Sequence, residues 1–253
     1  MEQKTSDEKI LEQLNSLIGG KNLVAKQDNK NTKKVKKVVE SKTENQPNFV
    51  KPIVVKGKDK SPKVKITFLG GVGEIGKNMT AIEYGDEMIV VDCGMSFPDD
   101  DLPGIDVVTP DITYLVQNKH KLKAFIITHG HEDHIGSIPF VLSDVNVPIY
   151  GSRLTLGLIE NKLKEYPKLK YKPIAVKPKQ VFKIGNFAIE FIHVNHSIAG
   201  SLALAVTTPC GVIVHSGDFK IDFEPVTGET TDLSRLAEIG RRGVNLLLCE
   251  STN

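Results

Sequence analysis

Residues 124–136 read AFIITHGHEDHIG. A short apolar run of the buried-strand type delivers the chain into three histidines and an aspartate within six residues. In an extended backbone His129 and His131 point to the same side. The turn that follows brings Asp133 and His134 round to a neighbouring position. That offers two nitrogens to one metal ion, and a nitrogen with an oxygen to another. Imidazole and carboxylate donors suit zinc, and less specifically manganese or iron. Packing rarely explains so dense a cluster, so the motif limits the fold to one that completes a metal site.

Two ions need more donors than this stretch holds. His196 follows the strand-like run FAIEFIHV, and Asp218 follows GVIVHSG. Asp92 ends MIVVD. A carboxylate with two oxygens at 218 can bridge ions about 3.5–4 Å apart. Asp92 is placed to orient the ligands from behind. The chain must therefore bring several strand ends to one place. His120, His193 and His215 carry no comparable partner signal and are read as structural or solvated.

A competing pattern lies upstream. Gly71, Gly73 and Gly76 spell G-x-G-x-x-G, and Asp92 follows Gly73 by 19 residues, as in a dinucleotide-binding loop. Such a loop must open a helix, whose N-terminus holds the pyrophosphate. Here NMTAIEYGDEMIVVDCG follows instead, with strand-like runs either side of a turn at 84–87. Strand, loop, strand, turn, strand is the better reading. The glycines are expected to let the backbone turn tightly and approach a neighbour closely.

Further strands are expected at VKITFL, VPIYG, LALAVTT and NLLLC, with a hairpin around Gly185-Asn186. Helices are expected at SIPFVLS, RLTLGLIENKLKEY and LSRLAEIGRRG. Hairpins mixed with helices indicate a layered α and β domain beginning near Val64. Before it, residues 1–63 hold 15 lysines against 8 acids, whereas 64–253 hold 18 basic and 23 acidic groups. The first segment reads as a largely disordered tail, with a short amphipathic helix near 6–18. A basic tail on an acidic body suits a polyanionic partner; a solubilising role is the alternative. No apolar run approaches the roughly 20 residues of a membrane span. Cys93, Cys210 and Cys249 are read as buried thiols in a reducing cytosol.

The order D-x-G, H-x-H-x-D-H, His, Asp resembles the metallo-β-lactamase fold. More narrowly, LGGVGEIGKNMTAIEY, FPDDDLPGIDVVTPD, THGHEDHIGSIPFVL, VNHSI and HSGDFKID resemble ribonuclease J, a family of β-CASP nucleases. The resemblance covers about 64–253. It implies an α/β fold, a four-layer αββα sandwich incomplete at its C-terminus. It divides the chain into the tail, a nuclease domain over 64–249 and the start of a β-CASP domain at 250–253. One zinc would sit on His129, His131 and His196, and a second on Asp133 and His134. Asp218 would bridge them and Asp92 would support them; manganese or magnesium are alternative ions. The ESTN stretch resembles the acidic motif that opens the β-CASP insertion, which makes Glu250 a candidate catalytic residue alongside Asp133 and His134.

The same resemblance implies cytoplasmic RNA cleavage from a 5′-monophosphate end, and sometimes internally. It also implies dimers or tetramers and RNA-degradation partners. Two departures stand out. Ala199-Gly200 replaces the family's common Pro-Asp. The chain also ends at Asn253, which reads as an amino-terminal portion, with one more histidine ligand and the 5′-phosphate pocket beyond it. Two other readings remain open: a hydrolase of the same fold acting on a thioester, lactone or lactam, and an RNA-binding scaffold without activity.

Overall fold

The computed structural model describes residues 62–98, 102–226 and 228–252. The expected tail and its helix near 6–18 lie outside the described residues, apart from Pro62 and Lys63.

Two sheets form the centre. The first runs β1 (Val64–Gly70), β2 (Met79–Tyr84), β3 (Glu87–Val91), β4 (Leu122–Ile126), β5 (Ile149–Gly151) and β6 (Pro173–Ala175), in spatial order of sequence. β1 to β3 are an antiparallel meander, and β3 to β6 are parallel. The second sheet is ordered β11-β10-β9-β8-β7, where β7 is Val181–Ile184, β8 Phe187–His193, β9 Leu202–Thr208, β10 Gly211–His215 and β11 Leu246–Leu248. It is antiparallel except for the β10–β11 pair.

The period of two along each strand sorts side chains into three apolar layers. Ile82, Ile89, Val91 and Ile126 face Phe187, Ile189, Phe191, Leu204 and Val206 between the sheets. Each of these side chains is buried, and full burial stabilises by about 1.5–3 kcal/mol per residue. The opposite set, Ala81, Val90, Phe125 and Ile127, packs on Leu115, Ile135, Ile138, Leu156 and Ile159. Those come from the short helices α1 (Thr113–Gln117), α2 (Glu132–Ile135) and α3 (Ile138–Val141), and from α4 (Arg153–Leu163). Beyond the second sheet, Ile192, Val194, Ala203 and Val214 meet Ile239 and Leu236 of α5 (Leu233–Arg242). The layers are thus helix, sheet, sheet, helix, as expected. Among the described residues no helix is long and apolar enough to cross a membrane.

The glycine pattern opens no helix. The chain passes from β1 through bends into β2, so it is not a dinucleotide loop. The cysteine reading needs correction: Cys93 is buried, but Cys210 and Cys249 are exposed. Cys210 sits in the tight turn between β9 and β10, where its amide donates to Thr208 Oγ1 at 3.1 Å and the short connection leaves its side chain outside. Cys249 follows the last strand at the edge of the second sheet, beside an open cavity that it lines with Leu236 and Gly240.

Helix α4 shows how local chemistry sets an element. Ser152 caps it, its Oγ accepting the Thr155 amide at 3.3 Å. Gly157 interrupts it on the exposed face, where an added methyl would meet nothing within 4 Å. Gly157→Ala is therefore expected to stabilise the domain by about 0.5–1 kcal/mol, read as a higher urea midpoint at constant slope.

Candidate metal centre

Each expected ligand leaves the end of a strand. The backbone quits β3 at Asp92 with φ 61, a left-handed conformation that aspartate tolerates better than most residues. The turn sends the carboxylate back under the neighbouring chain. Oδ1 accepts the Thr128 amide at 2.8 Å, and Oδ2 accepts Thr128 Oγ1 at 2.9 Å. Oδ2 also lies 2.8 Å from His134 Nδ1. The carboxylate is an acceptor, so Nδ1 carries the proton and Nε2 is left with a free lone pair. Thr128 has given its one hydroxyl proton to Asp92, so at 3.0 Å it accepts from His129 Nδ1. His129 Nε2 is thereby turned inward as well. One buried carboxylate sets the tautomers of two rings.

His131 is the N-cap of α2, with extended backbone, and Asp133 and His134 lie within that one-turn helix. The His134 and Ile135 amides both donate to His131 O at 2.9 Å. This tight turn carries the motif from one side of the site to the other. His196 follows β8, and Asp218 follows β10 beyond Gly217, whose φ is 56.

Two donor groups result, one of His129, His131 and His196 and one of His129, His134 and Asp218. In the first, His131 Nδ1 lies 3.1 Å from His129 Nε2 and 3.1 Å from His196 Nε2. Ring lone pairs crowded this closely repel unless a cation sits among them. A cation at their centre, about 2.0–2.1 Å from each nitrogen, satisfies all three. In the second, His134 Nε2 lies 3.4 Å from Asp218 Oδ1, and Asp133 Oδ2, outside the group, lies 3.3 Å from the same nitrogen. Asp218 Oδ2 faces the other way, 3.8 Å from His196 Nε2. One carboxylate thus presents an oxygen to each group.

The charges agree with that geometry. Burial, then the neighbouring His134 charge, push His129 down to about 3, so it stays a neutral donor. Burial opposes charge on His134 too, but the Asp92, Asp133 and Asp218 carboxylates win and raise it well above the usual range; with no cation beside it Nε2 would carry a proton, whose place a bound divalent ion would take. Asp218 is pushed up by burial, yet the His134 hydrogen bond and charge hold it down to about 2. The pocket favours positive charge, and the donors present fit a divalent metal ion.

Glu250 lines the same 590 Å³ cleft as Asp133, His134, Asp218 and the glycine loop. Both its oxygens accept main-chain amides, Phe219 at 3.0 Å and Thr252 at 2.9 Å. None of the histidines read as structural belongs to a donor group, although His215 borders the same cleft. His193 Nε2 bonds Glu229 O at 2.9 Å, His215 Nδ1 accepts the Gly217 amide at 3.1 Å, and His120 is exposed. Two residues at the centre escaped the sequence reading. Thr128 carried no signal beyond ending the apolar run. Asn78 follows two consecutive left-handed residues, Gly76 and Lys77, and its amide reaches Asp133 and His134.

Known proteins share these features. Relatives named ribonuclease J are similar to this chain: that of Helicobacter pylori is 47% identical over 223 residues, and that of Synechocystis 49% over 193. These alignments cover 87% and 75% of the chain but 32% and 30% of the relatives, so it spans about a third of their length. A solved structure of a protein of unknown function from Enterococcus faecalis superposes with a TM-score of 0.55 at 20% identity, covering 75% of this chain and 50% of that one. That likeness is one of fold. The model of the Metallo-beta-lactamase superfamily matches residues 72–238, a span that runs from the glycine loop through every donor described above to helix α5. With the four layers and the strand-end donors in place, the chain belongs to the metallo-β-lactamase superfamily.

Proposed function

We propose that this chain is the metal-binding part of a ribonuclease J that hydrolyses RNA phosphodiester bonds with two zinc ions. The observation that carries the two-ion reading is Asp218, whose oxygens face separate donor groups 3.4 and 3.8 Å away. RNA as substrate rests on the relatives' names, and on identity that extends well outside the ligands. In this reading His129, His131 and His196 hold one ion, Asp133 and His134 the other, and Asp218 both. Manganese or magnesium are the alternative ions.

When bound, such ions lower the pKa of water towards 7 and draw charge from the phosphate. The chain's own residues do the rest. Asp92 keeps both His129 and His134 lone pairs aimed inward. The Asp133 carboxylate and the His134 ring border the cleft as candidate catalytic residues; with both His134 nitrogens engaged, only a free Asp133 oxygen would be left to handle a proton. Glu250 is a candidate for the same task, and its two amide bonds fix the chain at 219 and 252 around the cleft. The cleft's glycine wall lets an extended polyanion approach the donors closely.

The finer reading is 5′-to-3′ exonuclease action on 5′-monophosphorylated RNA, with some internal cleavage, in rRNA maturation and mRNA decay. It includes a cytoplasmic dimer or tetramer working with RNA-degradation partners, a domain over 64–249 and a β-CASP domain beginning at 250. The lysine-rich tail would add salt-dependent affinity for RNA. Incubating the protein with zinc or manganese and 5′-monophosphorylated single-stranded RNA tests the proposal, with a chromogenic lactam in parallel. RNA shortening that chelation abolishes is the expected result. Lactam turnover with intact RNA would establish the other hydrolase instead.

A further inference from the structure

We propose that Asn78 is a positioning residue for the second ion, and that the glycine loop exists to seat its amide. The inference rests on the two-ion reading above. Asn78 is fastened to Asp133 twice. Its main-chain amide donates to Asp133 O at 3.1 Å, and so does its side-chain Nδ2 at 3.1 Å. The same Nδ2 lies 3.2 Å from Asp133 Oδ2 and 3.2 Å from His134 Nε2. An amide nitrogen carries two protons, so it serves the carbonyl and the carboxylate together. Once His134 Nε2 gives its lone pair to a cation, the proton directed to Asp133 Oδ2 remains. That bond holds one carboxylate oxygen aside and turns the other towards the cation.

The glycine pattern explains how the amide fits. A methyl at Gly71 would lie 2.5 Å from Asn78 Oδ1 and 3.0 Å from its Cα, and φ there is 84. A methyl at Gly76, where φ is 93, would lie 2.7 Å from Ser96 Cβ. Gly73 meets nothing within 4 Å. Two of the three glycines are therefore required by close approach, one against Asn78 and one against the segment after Asp92. Glu74 then ties the loop, accepting the Gly71 amide at 3.1 Å and pairing with Lys77 Nζ at 2.8 Å. The pattern that resembles a nucleotide site is a clamp on a metal ligand.

Calorimetric titration of the metal-free full chain with zinc alone tests this. Wild type should take up two ions. Asn78→Ala should weaken the second about 10–100-fold and leave the first within about twofold, the range for residues that orient ligands from outside the coordination sphere. Gly71→Ala, which displaces the amide without removing it, should reproduce the effect. In a double-mutant cycle, Asn78→Ala added to Asp133→Ala should cost nothing further, because the amide acts through that carboxylate. An unchanged second ion, equal loss of both ions, or additive losses would overturn the role of Asn78. A wild-type chain that binds fewer than two ions would overturn the two-ion reading and this inference with it.

Discussion

His131→Ala should lower the zinc content by one ion and cut RNA hydrolysis by about 10³-fold or more. His131 Nδ1 stands 3.1 Å from each of two other ring nitrogens, so it is the shared member of the first donor group. Removing it leaves His129 and His196 with only a carboxylate oxygen of Asp218 that the second group shares, so the first ion loses one of its three nitrogens. A metal ion supplies several kcal/mol of transition-state stabilisation, and about 1.4 kcal/mol corresponds to a tenfold rate. The fold should survive. His131 is only partly buried, its other nitrogen has one long contact to Ser197 Oγ at 3.5 Å, and its loss relieves crowding among lone pairs. The metal-free variant should therefore melt no lower than metal-free wild type. His120→Ala, on an exposed turn and outside both donor groups, should match wild type in zinc content and rate. Full activity with two bound ions in His131→Ala would remove the basis of the metal reading.

The convergence of His129, His131, His134, His196 and Asp218 was legible in the sequence because they follow apolar runs, and strand ends must gather somewhere. The strand–loop–strand reading at 69–91 was legible for a similar reason: branched residues flank a turn where a dinucleotide site needs a helix. Less was readable where an element is short. Helix α1 has five residues and no side-chain cap, and β6 has three residues beginning with Pro173. Neither is long enough to show a period, and both are held by what packs on them. Asn78 was hidden for another reason. Its role comes from two left-handed residues before it and a glycine seven positions back, and a string of letters does not display dihedral angles. The exposure of Cys210 and Cys249 likewise follows from turns and uncovered edges rather than composition. Spacing divided the H-x-H-x-D-H donors into two pairs but said nothing of the Asp218 side chain. Its rotamer turns one oxygen towards His134 and the other towards His196.

Gly94→Ala should be the most damaging substitution outside the ligands. A methyl there would fall 1.5 Å from Asp133 O, 2.2 Å from Asp133 C and 2.9 Å from Asn78 N. All three are main-chain atoms, so no side chain can swing aside. Gly94 is absent from the left-handed residues, so close approach rather than backbone conformation requires glycine. The segment after Asp92 lies directly on α2. Cys93 donates to His134 O at 2.8 Å, Met95 to Glu132 O at 3.1 Å, and Asn78 to Asp133 O at 3.1 Å. Making room for a methyl separates these chains and breaks the three bonds. At about 1 kcal/mol net for each, the loss is about 3 kcal/mol. For a domain of this size that is a fall in melting temperature of roughly 6–12 °C. The same displacement moves Asp133 and His134, and a shift of about 1 Å in a catalytic group can cost about 10²-fold in rate. The second ion should weaken more than the first, whose three histidines make none of these contacts. Gly157→Ala, the same chemical change in open space, should melt slightly higher than wild type. A Gly94→Ala protein with the melting point, zinc content and rate of wild type would mean that α2 does not rest on residues 93–95, and the metal centre would lose the floor on which its ligands stand.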